Sequence, residues 1–260
     1  VMLPDRKLLE TVEKLTTTDA VKGVIVSIDS PGGATSAGEG LYTALRKLAA
    51  KKPTVAHVGS LAASAGYLTA IGTDHIVARR TALTGSIGVL VQWGDVSDLM
   101  KTVGVKLEEV KSSPMKAEPT PFKPTSPEAR AMLDRVVKDT YTWFVGLVAE
   151  RRGLSAEKAA VLADGRVVNG AQALEAKLVD ELGEESVAVA WLESKGVDKD
   201  LKIRDWKPEK KLGDWPLAES VVAALVRGIV SGLGLESRVE SIGSLDGLQS
   251  RWHLGAGENP

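Results

Sequence analysis

The residues of this 260-residue chain best suited to chemistry are one serine and a few lysines. Ser64 stands in Gly59-Ser60-Leu61-Ala62-Ala63-Ser64-Ala65-Gly66-Tyr67, where an apolar run of strand character over 54–58 breaks into small residues and then turns helical over 68–71. A serine at a helix start is backed by main-chain N–H groups without intrahelical acceptors and by the positive end of the helix dipole. Charge developing on an attacked carbonyl oxygen would therefore meet ready donors. Ala62, Ala63, Ala65 and Gly66 leave room for another backbone to come close. These features suit acyl transfer through a serine nucleophile, and they would equally serve a strand packed tightly on a helix.

A hydroxyl attacks only when a base takes its proton, so the chain must supply one. His57, His75 and His253 are its three histidines. His57 falls inside the strand before Ser64 and His253 lies in the C-terminal stretch. His75 follows Asp74 at a strand entrance, which reads more readily as a strand-end polar pair than as a Ser64–His75–Asp74 triad. Lysine serves instead if burial or a neighbour keeps its amine neutral near pH 7. Lys111 and Lys116, in the irregular stretch after Val110, are candidates by position, and the residues alone leave the choice open.

Such a serine needs a scaffold, and the hydrophobic pattern supplies one. Helical spacing over 5–16 is followed by a β-branched run over 24–28 that ends in Asp29-Ser30-Pro31-Gly32-Gly33. A helix over 36–50, a strand over 54–58, the serine turn with its helix, and strands over 75–78 and 87–92 come next. This alternation predicts an α/β fold with a parallel sheet covered on both faces. A short helix is expected over 96–102 and a return to the sheet over 107–110. The stretch 111–125, with Pro114, Pro119 and Pro121, reads as an irregular loop. Ser126 caps a helix that opens on Pro127 and runs to Arg152 before Gly153 stops it. Helices over 156–162, 171–176 and 186–193 follow, with a last strand over 201–205. Composition then changes, so the chain divides into a domain over 1–206 and a C-terminal extension over 207–260, whose amphipathic segment 217–233 would pack on another surface.

Composition narrows the functions further. At 43% hydrophobic and 26% charged the chain is ordinary globular protein, and a formal net charge of -1 offers no basic field for nucleic acid. Without cysteine it has neither disulfides nor a thiol nucleophile nor thiolate metal ligands, and its histidines lack the close spacing of a zinc site. Residues 1–7 contain no apolar core of a signal peptide, and a start at Val1 reads as that of a fragment. The apolar stretch 221–230 is broken by Arg227 and falls short of the roughly 20 residues that span a membrane.

Five runs appear in a telling order: Ser30-Pro31-Gly32-Gly33, Ala62-Ala63-Ser64-Ala65-Gly66-Tyr67, Thr84-Gly85-Ser86-Ile87-Gly88-Val89, then Lys111-Ser112 with Lys116, and Asp164-Gly165-Arg166-Val167 leading to Leu178-Val179-Asp180-Glu181-Leu182-Gly183. Over about residues 21–183 the chain resembles the bacterial signal peptide peptidase A family, serine peptidases that use a Ser/Lys dyad on a fold shared with the Clp protease and the crotonases. The resemblance implies Ser64 as nucleophile, Lys116 as general base with Lys111 as the fallback, and Ser86 as the hydroxyl that orients the lysine amine. It implies an oxyanion hole of Gly33 and Ala65 N–H groups, where the family commonly has glycine in place of Ala65. An extended substrate would run along the backbone at Gly32 and Gly33.

No cofactor is implied. The expected partners are peptides, remnant signal peptides above all, and further copies of the chain in a closed ring or dome where Lys116 reaches a neighbour's serine. A membrane anchor outside the sequence would place the domain on the extracytoplasmic side of a bacterial membrane; without one it would be cytoplasmic. Two other readings share the residues. One is a related peptidase of phage capsid maturation or stomatin association. The other is a crotonase that polarises an acyl-CoA thioester with Gly33 and Ala65.

Overall fold

In the computed structural model, which describes residues 6–206, strand β2 (Thr54–Ala63) is the spine of a six-stranded sheet. One edge of β2 pairs in parallel with β1 (Val24–Ser30). Its other edge is shared: the first half takes β3 (His75–Ala78), from Val55 opposite His75 to Val58 opposite Ala78, and the second half takes β4 (Leu83–Gly85), with Ala63 opposite Gly85. The sheet therefore forks and curls at the middle of β2. β6 (Glu181–Leu182) extends the β3 branch in parallel, and β5 (Val167–Asn169) closes the β4 branch as the antiparallel member. Among the described residues no segment pairs with the outer edge of β1.

Helices cover the faces, as the strand–helix alternation requires. α1 (Arg6–Thr17) and α2 (Thr35–Ala49) pack with β1 through Val12, Leu45 and Leu48. Behind Ser64, α3 (Ala65–Ala70) joins the largest core cluster with Ala56, Val58, Ile76 and Ile87. Beyond α4 (Ser97–Thr102), the long α5 (Pro127–Arg152) presses Phe144 and Val148 into that cluster, an i, i+4 pair on one helix face. Burying each such side chain is worth about 1.5–3 kcal/mol. α6 (Ala156–Leu162) and α7 (Gly170–Glu175) follow, and α8 (Glu185–Ser194) covers the opposite face over Val55 and Val77. The start of α5 follows its sequence: Ser126 Oγ accepts from Ala129 N–H at 3.1 Å with proline in the first turn. At its end Gly153 adopts the left-handed conformation.

Three expected strands do not form. Residues 87–92 leave the sheet because Ser86 turns with φ 49°, and Leu90 and Val91 beyond it are exposed with no strand beside them. Residues 107–110 and 201–205 are likewise irregular, with Leu107, Val110, Leu201 and Ile203 all exposed. An apolar β-branched run becomes a strand only when it pairs along another strand's edge, and among the described residues these three runs do not, although β1 leaves one edge open. The C-terminal extension over 207–260, its segment 217–233 and His253 lie outside the described residues.

Candidate active site

Ser64 joins β2 to α3 with φ 53° and ψ −121°. Positive φ costs a residue with a side chain on the order of 1–3 kcal/mol, so its surroundings must hold it there. They do so from both sides: Ser64 N–H donates to Gly85 O at 2.9 Å, and Ser64 O accepts from Leu68 N–H at 2.9 Å. Tyr67, wholly buried one turn on, donates its hydroxyl to Leu178 O at 2.8 Å. Burial pushes that phenol well above its ordinary range, so it remains a donor. Past the end of α3, the Arg151 guanidinium donates to Ile71 O at 3.0 Å and Thr73 O at 2.9 Å. A strained serine at a strand-to-helix corner is the geometry that presents a hydroxyl for attack.

The glycine loop closes on the same corner. Gly32 has φ 106°, and a Cβ there would stand 2.9 Å from both Ala63 O and Ser64 Cβ and 3.1 Å from Ala65 N. Only glycine allows that approach. Gly66 answers from the other side, where a Cβ would meet Ser30 O at 2.8 Å. Ala65 N–H, the first in α3, has no intrahelical acceptor. Gly33, Ala34 and Ala65 line one end of a cleft of about 1270 Å³ that runs along β1, with Val12, Leu41 and Leu45 among its apolar residues.

Ser86 sits one residue after the carbonyl that pins Ser64, and its own N–H donates to Arg166 O at 2.8 Å. Asp164 braces this carbonyl's residue, accepting from Arg166 N–H at 3.0 Å and pairing with its guanidinium. The run 178–183 supports α3 and β3: Leu178 O receives Tyr67, and Asp180 accepts from Ile76 N–H at 2.8 Å and from Arg152 at 2.7 Å. Gly85, Arg166, Leu178 and Asp180 were legible as members of recurring runs, but their roles pass through backbone atoms that residue types do not encode.

The structure thus gathers Gly32, Gly33, Ser64, Ala65 and Ser86 at one corner. Lys116 is not hydrogen-bonded to them. It lies exposed on a turn where its N–H donates to Ser113 O at 3.1 Å, and among the described residues neither its amine nor the Ser64 and Ser86 hydroxyls has a hydrogen-bond partner. Lys111 is committed elsewhere, 2.6 Å from Glu118 and 2.9 Å from Glu109. Lys123 binds the same two carboxylates, and these contacts, that with Glu118 foremost, raise its amine above the ordinary lysine range.

The histidines take no part in this corner. His75 is stacked on Trp191 with ring centroids 4.9 Å apart and faces Asp180 and Glu181, while Asp74 accepts from Thr54 and Arg46. Both lie beside the start of β2, at the opposite end of that strand from Ser64, so no triad forms. His57 is buried inside β2 with its Nε2 unpaired.

Sequence comparison with known proteins gives the family. Residues 46–198 match the model of "Peptidase family S49". A protein of Synechocystis sp. named as a candidate protease is 38% identical over 207 residues, covering 78% of this chain and 73% of its own. Protease 4 of Salmonella typhi is 36% identical over 171 residues, 65% of this chain and 28% of its own. The chloroplastic serine protease SPPA of Arabidopsis thaliana is 31% identical over 188 residues, 71% of this chain and 27% of its own. Over more than half of its length the chain matches the family model, and its relatives are named proteases, so the chain belongs to peptidase family S49, the serine peptidases.

Proposed function

We propose that this chain is an endopeptidase that cleaves extended, largely apolar peptides, remnant signal peptides among them, through an acyl-enzyme on Ser64 with Lys116 as general base. The observation that carries the reading is the corner itself: Ser64 held at positive φ between Gly85 and Leu68, with the Gly32 loop packed on it. Ser64 Oγ attacks the scissile carbonyl as its proton passes to the neutral Lys116 amine, which Ser86 orients. The N–H groups of Gly33 and Ala65 receive the oxyanion, a donor each worth on the order of 3 kcal/mol in the transition state. The tetrahedral adduct collapses as the leaving amine takes the proton, and water then releases the acyl group with Lys116 again as base. The cleft beside Gly33 and the unpaired outer edge of β1 support an extended apolar substrate.

The same reading makes the active unit an oligomer in which Lys116 approaches the serine of a neighbouring copy. Exposed Leu90, Leu99, Val103 and Val110, all between Ser86 and Lys116 in sequence, support it, because large apolar side chains left in water in one segment suit a contact surface. Signal-peptide remnants arise at membranes, so we place the activity at the outer face of a bacterial membrane. Among the described residues no helix is long and apolar enough to cross one.

The test is hydrolysis of a quenched fluorescent apolar peptide by the parent and by Ser64→Ala, alongside labelling with a fluorophosphonate. Activity and a mass adduct on Ser64 in the parent, both lost in the variant, are expected. A variant as active as the parent overturns the reading.

A further inference from the structure

We propose that Glu118 is a positioning residue for the general base, holding the turn that carries Lys116 through an ionic square with Lys111, Lys123 and Glu109. The inference rests on the reading of Lys116 as that base. Residues 106–126 contain neither helix nor strand, and Leu107, Val110 and Phe122 in this arm are exposed, so apolar packing does little to fix it. Charge does so instead. Lys111 enters the turn and Lys123 leaves the arm beyond it, and both amines bind the same two carboxylates: Lys111 at 2.6 Å from Glu118 and 2.9 Å from Glu109, Lys123 at 2.5 Å and 2.9 Å from the same pair.

Isolated surface ion pairs contribute little, but here four charges form one network, exposed at Lys123 and enclosed at Glu118. The Glu118 side chain is only 4% exposed and that of Lys111 14%. A carboxylate so enclosed needs its cations, and removing one partner leaves the other charges uncompensated. The Lys111–Glu118 contact closes a short ring whose apex is the turn Ser113–Lys116, tightened by Lys116 N–H to Ser113 O at 3.1 Å and Glu118 N–H to Met115 O at 3.3 Å. Lys116 thus stands on a ring locked at its base, its own amine outside the square. Lysine donors hold both glutamates below their ordinary range, so both carboxylates of the square are ionised at neutral pH.

The square also balances two cations with two anions. Glu118→Gln leaves one positive charge of the square unmatched and unlocks the base of the ring that carries Lys116. In the full chain, Glu118→Gln is expected to lower kcat for an apolar peptide roughly ten- to a hundredfold, since small misplacements of a reacting group cost that much, with KM changed less than about threefold. Glu118→Asp, which keeps the carboxylate, should restore kcat. Should Glu118→Gln fail to fold by circular dichroism, Lys123→Gln, which opens the square at its exposed corner, is expected to give the same fall in kcat. Glu118→Gln with the parent's kcat, while Lys116→Ala is inactive, overturns the inference and leaves the base assigned. Lys116→Ala with the parent's activity overturns the base and the inference together.

Discussion

Ser64 N–H and Gly85 O are joined at 2.9 Å, so the residue that ends β4 fixes the backbone of the serine that ends β2. Gly85 then hands the chain to Ser86, and the two serines, 22 residues apart in sequence (86 − 64), become neighbours across one hydrogen bond. That bond stands at the fork of the sheet. The conformation it maintains at Ser64 is costly, and the cost can be measured.

Ser64→Gly removes the side chain that makes φ 53° unfavourable, and Ser64→Ala keeps it. Part of the relief is cancelled by the greater freedom of glycine in the unfolded chain. The glycine variant is expected to be more stable than the alanine variant by about 1 kcal/mol in urea unfolding, while both lack peptidase activity. Equal stability would mean that the corner stores no strain.

Gly32→Ala places a methyl 2.9 Å from Ala63 O and Ser64 Cβ at a φ of 106°. Backbone must move, and what moves is the loop that carries Gly33, the proposed oxyanion donor. A loss of about 1–3 kcal/mol of stability is expected, together with a fall in kcat/KM of at least about a hundredfold, read from steady-state kinetics.

Lys116→Ala and Lys111→Met separate the two lysines. Removing a general base typically costs a factor of about 10²–10⁴ in rate, and that loss is expected for Lys116→Ala with the fold unchanged by circular dichroism. Lys111→Met disturbs the ionic square without removing the proposed base, so its loss should be smaller. If Lys111→Met proves the more damaging in kcat, the roles of the two lysines are reversed.

Tyr67→Phe takes the donor from Leu178 O inside the core, leaving a buried acceptor unsatisfied at a cost of about 1–3 kcal/mol. The sign of its pH dependence follows from burial. The folded phenol titrates above the unfolded value of 10.0, so its contribution is complete below that pH and is lost as pH rises past it. Parent stability should fall across this alkaline range more steeply than that of Tyr67→Phe, as chemical unfolding at stepped pH would show.

The carboxylates of the square work in the opposite direction. Hydrogen bonds from Lys111 and Lys123 hold Glu109 and Glu118 below their unfolded value of 4.5, so the square is complete above that pH and opens as acid protonates them. Hydrogen exchange over residues 106–126 should accelerate at pH values below about 4 relative to neutral pH, beyond the intrinsic change in exchange rate, while the β2 amides remain protected.

Most of the scaffold was legible because its periodicity is strong. The β-branched runs at β1 and β2, the capped α5 and the small residues around Ser64 each announce themselves, and so does their alternation. The strands expected over 87–92, 107–110 and 201–205 failed because a strand requires a partner edge, which a single segment's composition does not reveal. At the candidate site the residue types were legible and the joints were not. Ser64 and Gly32 could be named from their runs, whereas the bonds from Ser64 to Gly85 O and from Ser86 to Arg166 O are backbone contacts that any side chain would permit. Glu118 passed unnoticed for the opposite reason: a glutamate among lysines in a proline-rich loop looks like solvated charge until the fold encloses it.

Strand β1 has one further consequence. Val24 N–H points inward to Pro53 O, so by alternation Ile25 and Ser27 turn their amides and carbonyls to the outer rim, where no described segment meets them. An unsaturated rim is a template on which stray chains can nucleate fibres. Asp29, exposed near the end of that strand, puts a charge on this rim, and charge on an open edge disfavours such stacking. Asp29→Val should cloud a concentrated solution that the parent leaves clear.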